Sequence, residues 1–356
     1  MSGGPQPGAL SAPGPGGARR QALLGGEKAC GGAGVETQFQ LPRPMGARSV
    51  NEKTEPIRAR RRLPRSLKEL TPSGTFAPRA FFREMVLKPL RMRRSGHPKP
   101  VSFPRLREGQ VAITWIGHAS FLVQFTDLNV LIDPIFTNWL FLLKRVRRPG
   151  VKMSDLPAAD LVLLTHAHFD HFHKPTLRRL PAPRIAVAPW GVGTLARGLG
   201  FDRVIELEWW DAFERNGWRV VLTPSRHWGA RMLRDERRGY GGFVLEHQGR
   251  RIYHAGDSAY FDGFKEIGER LRPEVALLPI GAYQPEGMRR VHMSPEDALK
   301  SFRDLGAKAF VPMHYGSFRL SFEDPRDPPR RLMELARSEG LEKKIRVIEE
   351  GVPTVF

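Results

Sequence analysis

The sequence predicts an α+β fold, a four-layer αββα sandwich in which two stacked β-sheets lie between outer helices, preceded by a basic extension. From Val111 onward, short apolar or alternating runs predict many strands, whereas only two stretches carry clear helix signals. Strands in this number bury their apolar faces by stacking one sheet on another, and the few helices then cover the outside. A cluster of His and Asp residues directly follows one predicted strand, Asp160–Leu164, and places candidate chemistry at a sheet edge.

Composition divides the chain into three parts. Residues 1–50 are punctuated by Gly and Pro and predict a disordered tail, residues 51–105 form a basic arm, and residues 106–356 form the sandwich domain. Of the formal net charge of +20 on 356 residues, 14 charges lie in residues 1–105. The 40% hydrophobic content is ordinary for a globular core. A single cysteine, Cys30, excludes an intrachain disulfide.

The charge of the arm predicts contact with a polyanion. Anionic lipid headgroups and nucleic acid both carry such charge, and a tail that is simply solvated is the third alternative. Within the arm, Phe81–Lys88 combines aromatic, aliphatic and basic side chains, which suits a helix packed on the domain or one at a membrane interface. The chain lacks a secretory signal and an apolar run of the roughly 18 to 20 residues that a spanning helix needs. These features predict a cytoplasmic protein with peripheral contact to an anionic membrane through the arm.

The domain is predicted to open with a β-meander. Strands Val111–Ile116 and Ser120–Phe125 flank a turn at Gly117-His118, and Asn129–Asp133 follows. Similar short runs predict nine further strands, at Asp160–Leu164, Ile185–Pro189, Arg203–Leu207, Trp218–Thr223, Gly242–Glu246, Arg251–His254, Val275–Pro279, Ala309–Pro312 and Ile345–Ile348.

Two helices are predicted from their end signals. Ser294 is a suitable N-cap, Pro295 suits the first helical position, and the acidic residues that follow favour the positive end of the helix dipole. The second helix is predicted from Pro329 to Gly340, where the glycine closes it.

The segment Thr165-His166-Ala167-His168-Phe169-Asp170-His171 has the residue types of a metal site. Neutral imidazole and carboxylate are ligands of zinc and similar transition metals, and alternate side chains at a strand end project to the same side. His166 and His168 can therefore share one ion, which leaves Asp170 and His171 for another. The alternative is a solvated polar loop, in which these ligand-type residues have no shared role.

A pair of metal ions needs more ligands than this segment supplies, and later predicted strands end in suitable residues. These are His227, Asp257 and His314, which follow His171 at successive intervals of 56, 30 and 57 residues. The sequence therefore predicts that several strand ends contribute to one site.

In this order and spacing, the chain resembles the metallo-β-lactamase superfamily, whose His-x-His-x-Asp-His motif and later His, Asp and His match. The resemblance covers about residues 106–356. It implies one ion bound by three histidines, a second bound by two histidines and an aspartate, and a bridging aspartate. In this sequence the two sets are His166, His168 and His227, then Asp170, His171 and His314, with Asp257 as the bridge. Two ions about 3.5–4 Å apart can lower the pKa of a shared water and stabilise the entering and leaving oxygens of a displacement.

The resemblance also implies two zinc ions per chain, because the di-iron members usually carry Glu where this chain has His168. Iron and manganese are alternatives, since availability often decides which metal a site binds. The fold that the resemblance implies is the same αββα sandwich.

Within the superfamily, eight segments resemble the N-acyl-phosphatidylethanolamine-hydrolysing phospholipase D family. They are Thr114–Ser120, Asp133–Phe136, Thr165–His171, Arg226–Trp228, Gly256–Ser258, Pro279–Pro285, His292 with Pro295-Glu296, and Met313–Gly316. The resemblance implies a phosphodiesterase that converts N-acyl-phosphatidylethanolamine to an N-acylethanolamine and phosphatidic acid.

The same resemblance implies individual roles. Asp170 and Asp257 are the catalytic carboxylates of the metal site. His292 lies near the substrate phosphate as a hydrogen-bond donor or acid. The alternative is that His292 only precedes the helix that Ser294 caps and has no role in catalysis. Phe169 is a substrate-contact position that lacks the hydroxyl of the tyrosine in the mammalian phospholipase. His118 is either a partner of a metal ligand or a turn residue.

Two other functions are considered. One is a related hydrolase of a soluble phosphoester or lactone, because this broader family includes sugar-phosphate lactonases. The other is a nucleic-acid-binding protein with a vestigial metal site, in which the arm supplies affinity. The complete set of ligand-type residues argues against the vestigial site.

Overall fold

Fifteen strands lie in the part of the chain that the computed structural model describes, residues 78–98, 100–181, 185–231 and 238–356. In chain order they are β1 (Ala112–Gly117), β2 (Ser120–Gln124), β3 (Asn129–Ile132), β4 (Trp139–Leu140), β5 (Leu143–Lys144), β6 (Leu161–Leu163), β7 (Ile185–Pro189), β8 (Arg203–Leu207), β9 (Ala212–Arg215), β10 (Trp218–Thr223), β11 (Gly242–His247), β12 (Arg250–His254), β13 (Val275–Pro279), β14 (Ala309–Met313) and β15 (Thr354–Val355). The predicted disordered tail and residues 51–77 of the basic arm lie outside the described residues.

The strands form two large mixed sheets and one small hairpin. The first sheet has seven strands in the order β15-β1-β2-β3-β6-β7-β8, and the second has six in the order β14-β13-β12-β11-β10-β9. Each sheet combines antiparallel hairpins with a parallel portion, β3-β6-β7-β8 in the first and β12-β13-β14 in the second. The strands β4 and β5 pair only with each other.

Seven α-helices lie among the described residues. They are α1 (Pro78–Phe81), α2 (Lys88–Arg91), α3 (Lys174–Leu177), α4 (Gly193–Ala196), α5 (Gly263–Leu271), α6 (Pro295–Leu305) and α7 (Asp327–Ser338), with a wider π-helical turn at Phe82–Leu87 that joins α1 to α2.

Alternate side chains of the first sheet enter two different apolar cores. In β2, Phe121 and Val123 join Val220 of the second sheet in the main core, whereas Leu122 between them packs with Val192 beside α4. This period of two is what a strand that is covered on both faces requires. The layers are therefore helix, sheet, sheet and helix, and the predicted fold class is confirmed.

The two predicted helices form. Ser294 Oγ accepts the Asp297 N–H, and the Asp297 carboxylate accepts the Ser294 N–H, so α6 begins with a capping box. Helix α7 begins at Asp327, two residues before the predicted start, and ends just before Gly340, whose φ of +68° suits a helix end.

One predicted strand is wrong. The segment Ile345–Ile348 makes a single bridge to Phe310 rather than a strand, because the Ile345 N–H donates to the Glu342 carbonyl at 3.2 Å in a short turn. The sequence reasoning also missed the helices α3, α4 and α5 and four strands, β4, β5, β9 and β15. Three of these strands have only two residues, too few for an alternating pattern to be recognised.

The amphipathic stretch Phe81–Lys88 packs on the sandwich through one face. Met85 and Val86 are buried there, and Glu84 forms an ion pair of 2.8 Å with Arg319 of the domain. Of the two sequence alternatives, packing is therefore correct for this face. Among the described residues, none of the helices has the length and apolar character needed to cross a membrane.

Candidate metal centre

The predicted metal-site residues meet at one edge of the sandwich, because four strands that carry them end there. Strand β6 leads into the segment 166–171, whereas β10, β12 and β14 lead to His227, Asp257 and His314. In the second sheet these three strands run in the same direction, since β11 is antiparallel to both β10 and β12 and β12-β13-β14 are parallel. The ligand-type side chains of both sheets therefore converge.

Three histidines form the first cluster. His168 Nδ1 lies 2.9 Å from His166 Nε2 and 3.1 Å from His227 Nε2. One proton on His168 Nδ1 cannot serve both neighbouring nitrogens, so three lone-pair donors are directed at one small volume. This is the arrangement of a three-histidine metal site.

The second cluster contains the remaining predicted ligands. His171 Nε2 lies 3.7 Å and His314 Nε2 lies 3.5 Å from Asp170 Oδ2. Asp257 Oδ2 lies between the clusters, at 3.3 Å from His171 Nε2, 3.1 Å from His314 Nε2, 3.8 Å from His227 Nε2 and 4.0 Å from His166 Nε2. The position of Asp257 is the one expected of a bridging carboxylate.

The residues present fit a pair of cations. Among the described residues, the Nε2 atoms of His171 and His314 and the Oδ1 atom of Asp257 are buried without a hydrogen-bond partner. Buried polar atoms of this kind are rarely left unpaired unless a metal or water completes them. The side chains themselves place both lone pairs and negative charge at the centre.

The electrostatics of the second cluster agree with this fit. Burial would raise the pKa of Asp257, but the neighbouring charges of His171 and His314 hold it well below its usual range. Conversely, the carboxylates Asp257 and Asp170 overcome burial and raise the pKa of His314 to about 9. Positive charge therefore stabilises the buried carboxylates, and metal ions can supply that charge in place of protons.

A buried hydrogen-bond chain orients two of the histidines. Asp133 Oδ2 accepts a hydrogen bond from His171 Nδ1 at 2.7 Å and from the Thr165 hydroxyl at 2.5 Å. The same hydroxyl lies 2.9 Å from His166 Nδ1, and Asp133 Oδ1 accepts the Thr165 N–H at 2.8 Å. These partners keep protons on the Nδ1 atoms, so the Nε2 lone pairs of both histidines face the centre.

The first cluster has a similar support at its third histidine. His227 Nδ1 lies 2.9 Å from the Val291 carbonyl oxygen, which can only accept, so the Nε2 lone pair is again free to face His168. Near Asp257, the Gly256 N–H donates to His254 Nδ1 at 3.1 Å, and His254 Nε2 lies 2.9 Å from the Ala119 carbonyl. His254 therefore helps to fix the loop that carries Asp257, as a non-ligand.

His118 combines the two roles that the sequence left open. It sits in the turn after β1 with a φ of +60°, and its Nε2 lies 3.0 Å from Asp170 Oδ2. Burial, then the neighbouring charge of His314, lower the pKa of His118 to about 3, so the ring is neutral and donates to the carboxylate. His118 thus holds Asp170 in place.

His292 lies beside the two clusters. Its Nδ1 is 3.8 Å from Asp257 Oδ2, and its ring centre is 5.1 Å from that of His227. Burial lowers the pKa of His292 to about 4, so the ring is neutral at ordinary pH and can donate a hydrogen bond. Trp228 covers the same side, with its ring centre 4.5 Å from that of His168.

Phe169 lies between two candidate ligands in the chain, His168 and Asp170. Its ring packs against the guanidinium of Arg231 at 4.2 Å, and Arg231 also donates to the carbonyls of Ala167 and Phe172 at 2.8 and 3.0 Å. Arg231 thereby ties together the two ends of the loop that contains His168 and its neighbours. Sequence reasoning did not single out Arg231.

Sequence reasoning also did not assign Asp133 its place at the back of His171. The signal was present, because Asp133 ends a predicted strand that lies next to β6 in the parallel part of the sheet. Its φ of +42° turns the chain there. A carboxylate at the end of the neighbouring parallel strand is where a partner for a metal-binding histidine is expected.

A family profile described as the beta-lactamase superfamily domain matches residues 128–315, more than half of the chain. The chain belongs to the metallo-β-lactamase superfamily. A metal-dependent hydrolase of Methanopyrus kandleri is 32% identical over 245 residues, which are 67% of this chain and 97% of that protein. A mitochondrial N-acyl-phosphatidylethanolamine-hydrolyzing phospholipase D of Saccharomyces cerevisiae is 31% identical over 259 residues, 68% of this chain and 55% of that protein.

Solved structures agree with this membership. The metallo hydrolase Igni18 of Ignicoccus hospitalis superposes with a TM-score of 0.56 at 29% identity and covers 69% of this chain and 98% of its own. The family and the fold predicted from the sequence are therefore confirmed, and the chain is a metal-dependent hydrolase of the metallo-β-lactamase superfamily. Its His and Asp clusters are the groups that can bind the metal.

Proposed function

We propose that this metallo-β-lactamase superfamily hydrolase is a binuclear zinc phosphodiesterase that cleaves N-acyl-phosphatidylethanolamine into an N-acylethanolamine and phosphatidic acid. The observation that carries the proposal is the arrangement around Asp257, which has metal-ligand side chains of both clusters within 4.0 Å and His292 at 3.8 Å. The similarity to the Saccharomyces phospholipase supports the choice of substrate.

The two metal sets follow the sequence resemblance. His166, His168 and His227 would hold one zinc ion, Asp170, His171 and His314 the other, and Asp257 would contact both. When bound, two zinc ions supply a water of near-neutral pKa and positive charge that stabilises a developing oxyanion. Imidazole-rich ligation favours zinc, with iron and manganese as the alternatives.

The chain's own residues can bind the substrate through hydrogen bonds and through an apolar contact. His292 is neutral and buried, so it can donate a hydrogen bond to a phosphate oxygen of the headgroup. Burial would raise the pKa of Asp170 and Asp257, but the charges of the neighbouring histidines, above all His171, hold the pKa of each well below its usual range, so both carboxylates are ionised. Phe169 contributes an apolar contact in place of a hydroxyl.

The test is product analysis with purified, zinc-loaded protein. Vesicles that contain N-acyl-phosphatidylethanolamine should yield N-acylethanolamine and phosphatidic acid in equal amounts, as measured by mass spectrometry. The double variant His166→Ala plus His168→Ala should lose this activity, whereas the matched control His97→Ala plus His247→Ala, two histidines outside the clusters, should retain it. Release of diacylglycerol, or full activity of the first variant, would refute the proposal.

A soluble phosphoester or lactone is the second candidate substrate. The hydrolase of Methanopyrus kandleri, which matches over 97% of its length, favours it because this relative consists almost entirely of the shared domain. Turnover of bis-p-nitrophenyl phosphate or of a lactone, together with no turnover of lipid vesicles, would support this candidate over the phospholipase.

A further inference from the structure

The hairpin β4–β5 exposes large apolar side chains to solvent. Phe141 and Leu142 form its turn and are 73% and 66% exposed, and Trp139 in β4 is also exposed. Scattered apolar residues are common on protein surfaces, but contiguous exposed apolar groups mark interaction sites. The turn is the strongest concentration of exposed apolar surface among the described residues.

The helical segment 78–91 extends this surface. Lys144 Nζ of the hairpin donates to the carbonyls of Leu90 and Met92 at 3.1 and 2.7 Å, so the end of α2 is fixed beside β5. The same segment exposes further apolar side chains, those of Phe82, Leu87 and Leu90. We call these exposed side chains, together with Trp139, Phe141, Leu142 and Met92, the hairpin patch.

The hairpin patch is surrounded by positive charge. Residues 78–98 contain a single acidic residue, Glu84, and its carboxylate is already paired with Arg319 and Lys88. Arg91 and Arg93 next to the patch are exposed. An apolar surface with a cationic border matches the interfacial layer of an anionic bilayer, where apolar groups enter the acyl region and cations meet the headgroups.

An apolar wall connects the hairpin patch to the metal centre. The Phe141 ring meets the Phe169 ring edge-on at 4.4 Å, and Phe169 directly precedes Asp170 in the chain. Phe169 belongs to a cluster with Leu140, Leu143 and Leu320 around Phe318, whose ring meets that of His118 edge-on at 5.4 Å. A lipid whose acyl chains follow this wall has its headgroup beside the ligand clusters.

We propose that the hairpin patch inserts into the interfacial layer of an anionic phospholipid bilayer and presents the lipid headgroup to the metal centre. This inference rests on the proposed phospholipase function and names the surface that meets the substrate. Residues 1–77 carry twelve basic and five acidic groups, so their charge repels the cationic border and disfavours them as the group that covers the patch. They add further attraction to the same anionic bilayer.

The experiment is flotation of the full chain with vesicles of phosphatidylcholine, with or without phosphatidylserine. The double variant Phe141→Ser plus Leu142→Ser should weaken binding to the mixed vesicles about tenfold or more, because two large side chains no longer enter the bilayer. Val347→Ser is the matched control, since Val347 is 45% exposed near Phe310, at the end of β14 away from His314, and should bind like the wild type. Metal content and thermal unfolding verify that each variant is folded.

Charge is tested separately. Arg91→Glu plus Arg93→Glu should reduce the preference for phosphatidylserine vesicles and the salt dependence of binding. Arg215→Glu plus Arg337→Glu, which makes the same change of charge on other exposed surfaces, should reduce them less. Binding of the Phe141 and Leu142 variant to mixed vesicles as tight as that of the wild type would overturn the inference. A second outcome would also overturn it: the wild type is a dimer that does not bind vesicles, and the Phe141 and Leu142 variant is a monomer. A second copy of the chain would then cover the hairpin patch.

Failure of this inference is distinguishable from failure of the proposed function. Vesicle binding that is lost in the variants, but without hydrolysis of N-acyl-phosphatidylethanolamine by the wild type, supports the surface and refutes the substrate. Hydrolysis of that lipid, with variants that bind vesicles as well as the wild type, refutes the surface and leaves the function standing.

Discussion

Asp133→Asn tests whether the metal centre depends on the hydrogen-bond chain behind His171. The asparagine keeps the shape of the side chain but replaces one acceptor oxygen by an amide nitrogen, which only donates. Asp133 accepts at both oxygens, from the Thr165 N–H at 2.8 Å, from the Thr165 hydroxyl at 2.5 Å and from His171 Nδ1 at 2.7 Å. Whichever way the amide is turned, its donor meets another donor or forces the Nδ1 proton of His171 to Nε2, the atom that faces the metal.

The expected loss follows from this conflict. Removal of partners that orient metal-binding histidines typically lowers metal affinity 10- to 100-fold, which corresponds to about 1.4–2.8 kcal/mol. Zinc affinity, measured by competition with a chromogenic chelator, should fall by this amount for one of the two ions. The matched control is Asp160→Asn, because the Asp160 carboxylate accepts the Asn129 N–H at 2.9 Å at the start of β6, the end opposite His166. Unchanged zinc affinity in a folded Asp133→Asn protein would refute the reasoning.

Three further predictions concern other contacts of the site and its support. His118→Ala removes the 3.0 Å contact with Asp170 and should lower the affinity for one zinc ion about tenfold in the same chelator competition. An unchanged zinc affinity would show that His118 is only a turn residue. Burial lowers the pKa of His292 to about 4, so the ring is neutral above that pH. His292→Gln should therefore lower kcat/KM for a soluble phosphodiester and leave any inflection of the pH profile between about pH 6 and 8 in place. Loss of such an inflection would show that His292 is a titrating acid instead. Glu84→Ala leaves the buried Arg319 guanidinium without its carboxylate and should lower the free energy of unfolding by about 1–3 kcal/mol in urea denaturation, whereas an unchanged value would mean that Arg319 is stabilised by other groups.

The positions of the candidate metal ligands were predictable from the sequence because of local patterns. Each of them follows a short apolar run. In the second sheet β10, β12 and β14 run in one direction and end at the same edge, which brings His227, Asp257 and His314 together. The cap at Ser294 was equally readable, since its signal is contained in four consecutive residues.

The supporting contacts were not predictable in the same way, because they join distant parts of the chain. Asp133 meets His171 across 38 residues, and Arg231 reaches the Ala167 carbonyl across 64. The strand predicted at Ile345–Ile348 failed for a related reason, as a local turn uses the amide that a sheet ladder needed. Pattern alone does not reveal such competition between hydrogen-bond partners.

Anomalous diffraction at the zinc edge, from crystals of the full chain grown with zinc, tests most directly whether the two clusters bind a pair of metal ions. We expect two peaks per chain. The first should lie among His166 Nε2, His168 Nδ1 and His227 Nε2, the second among Asp170, His171 and His314, and both should lie next to Asp257. A zinc-loaded protein with peaks elsewhere, or with none at these clusters, would contradict the assignment.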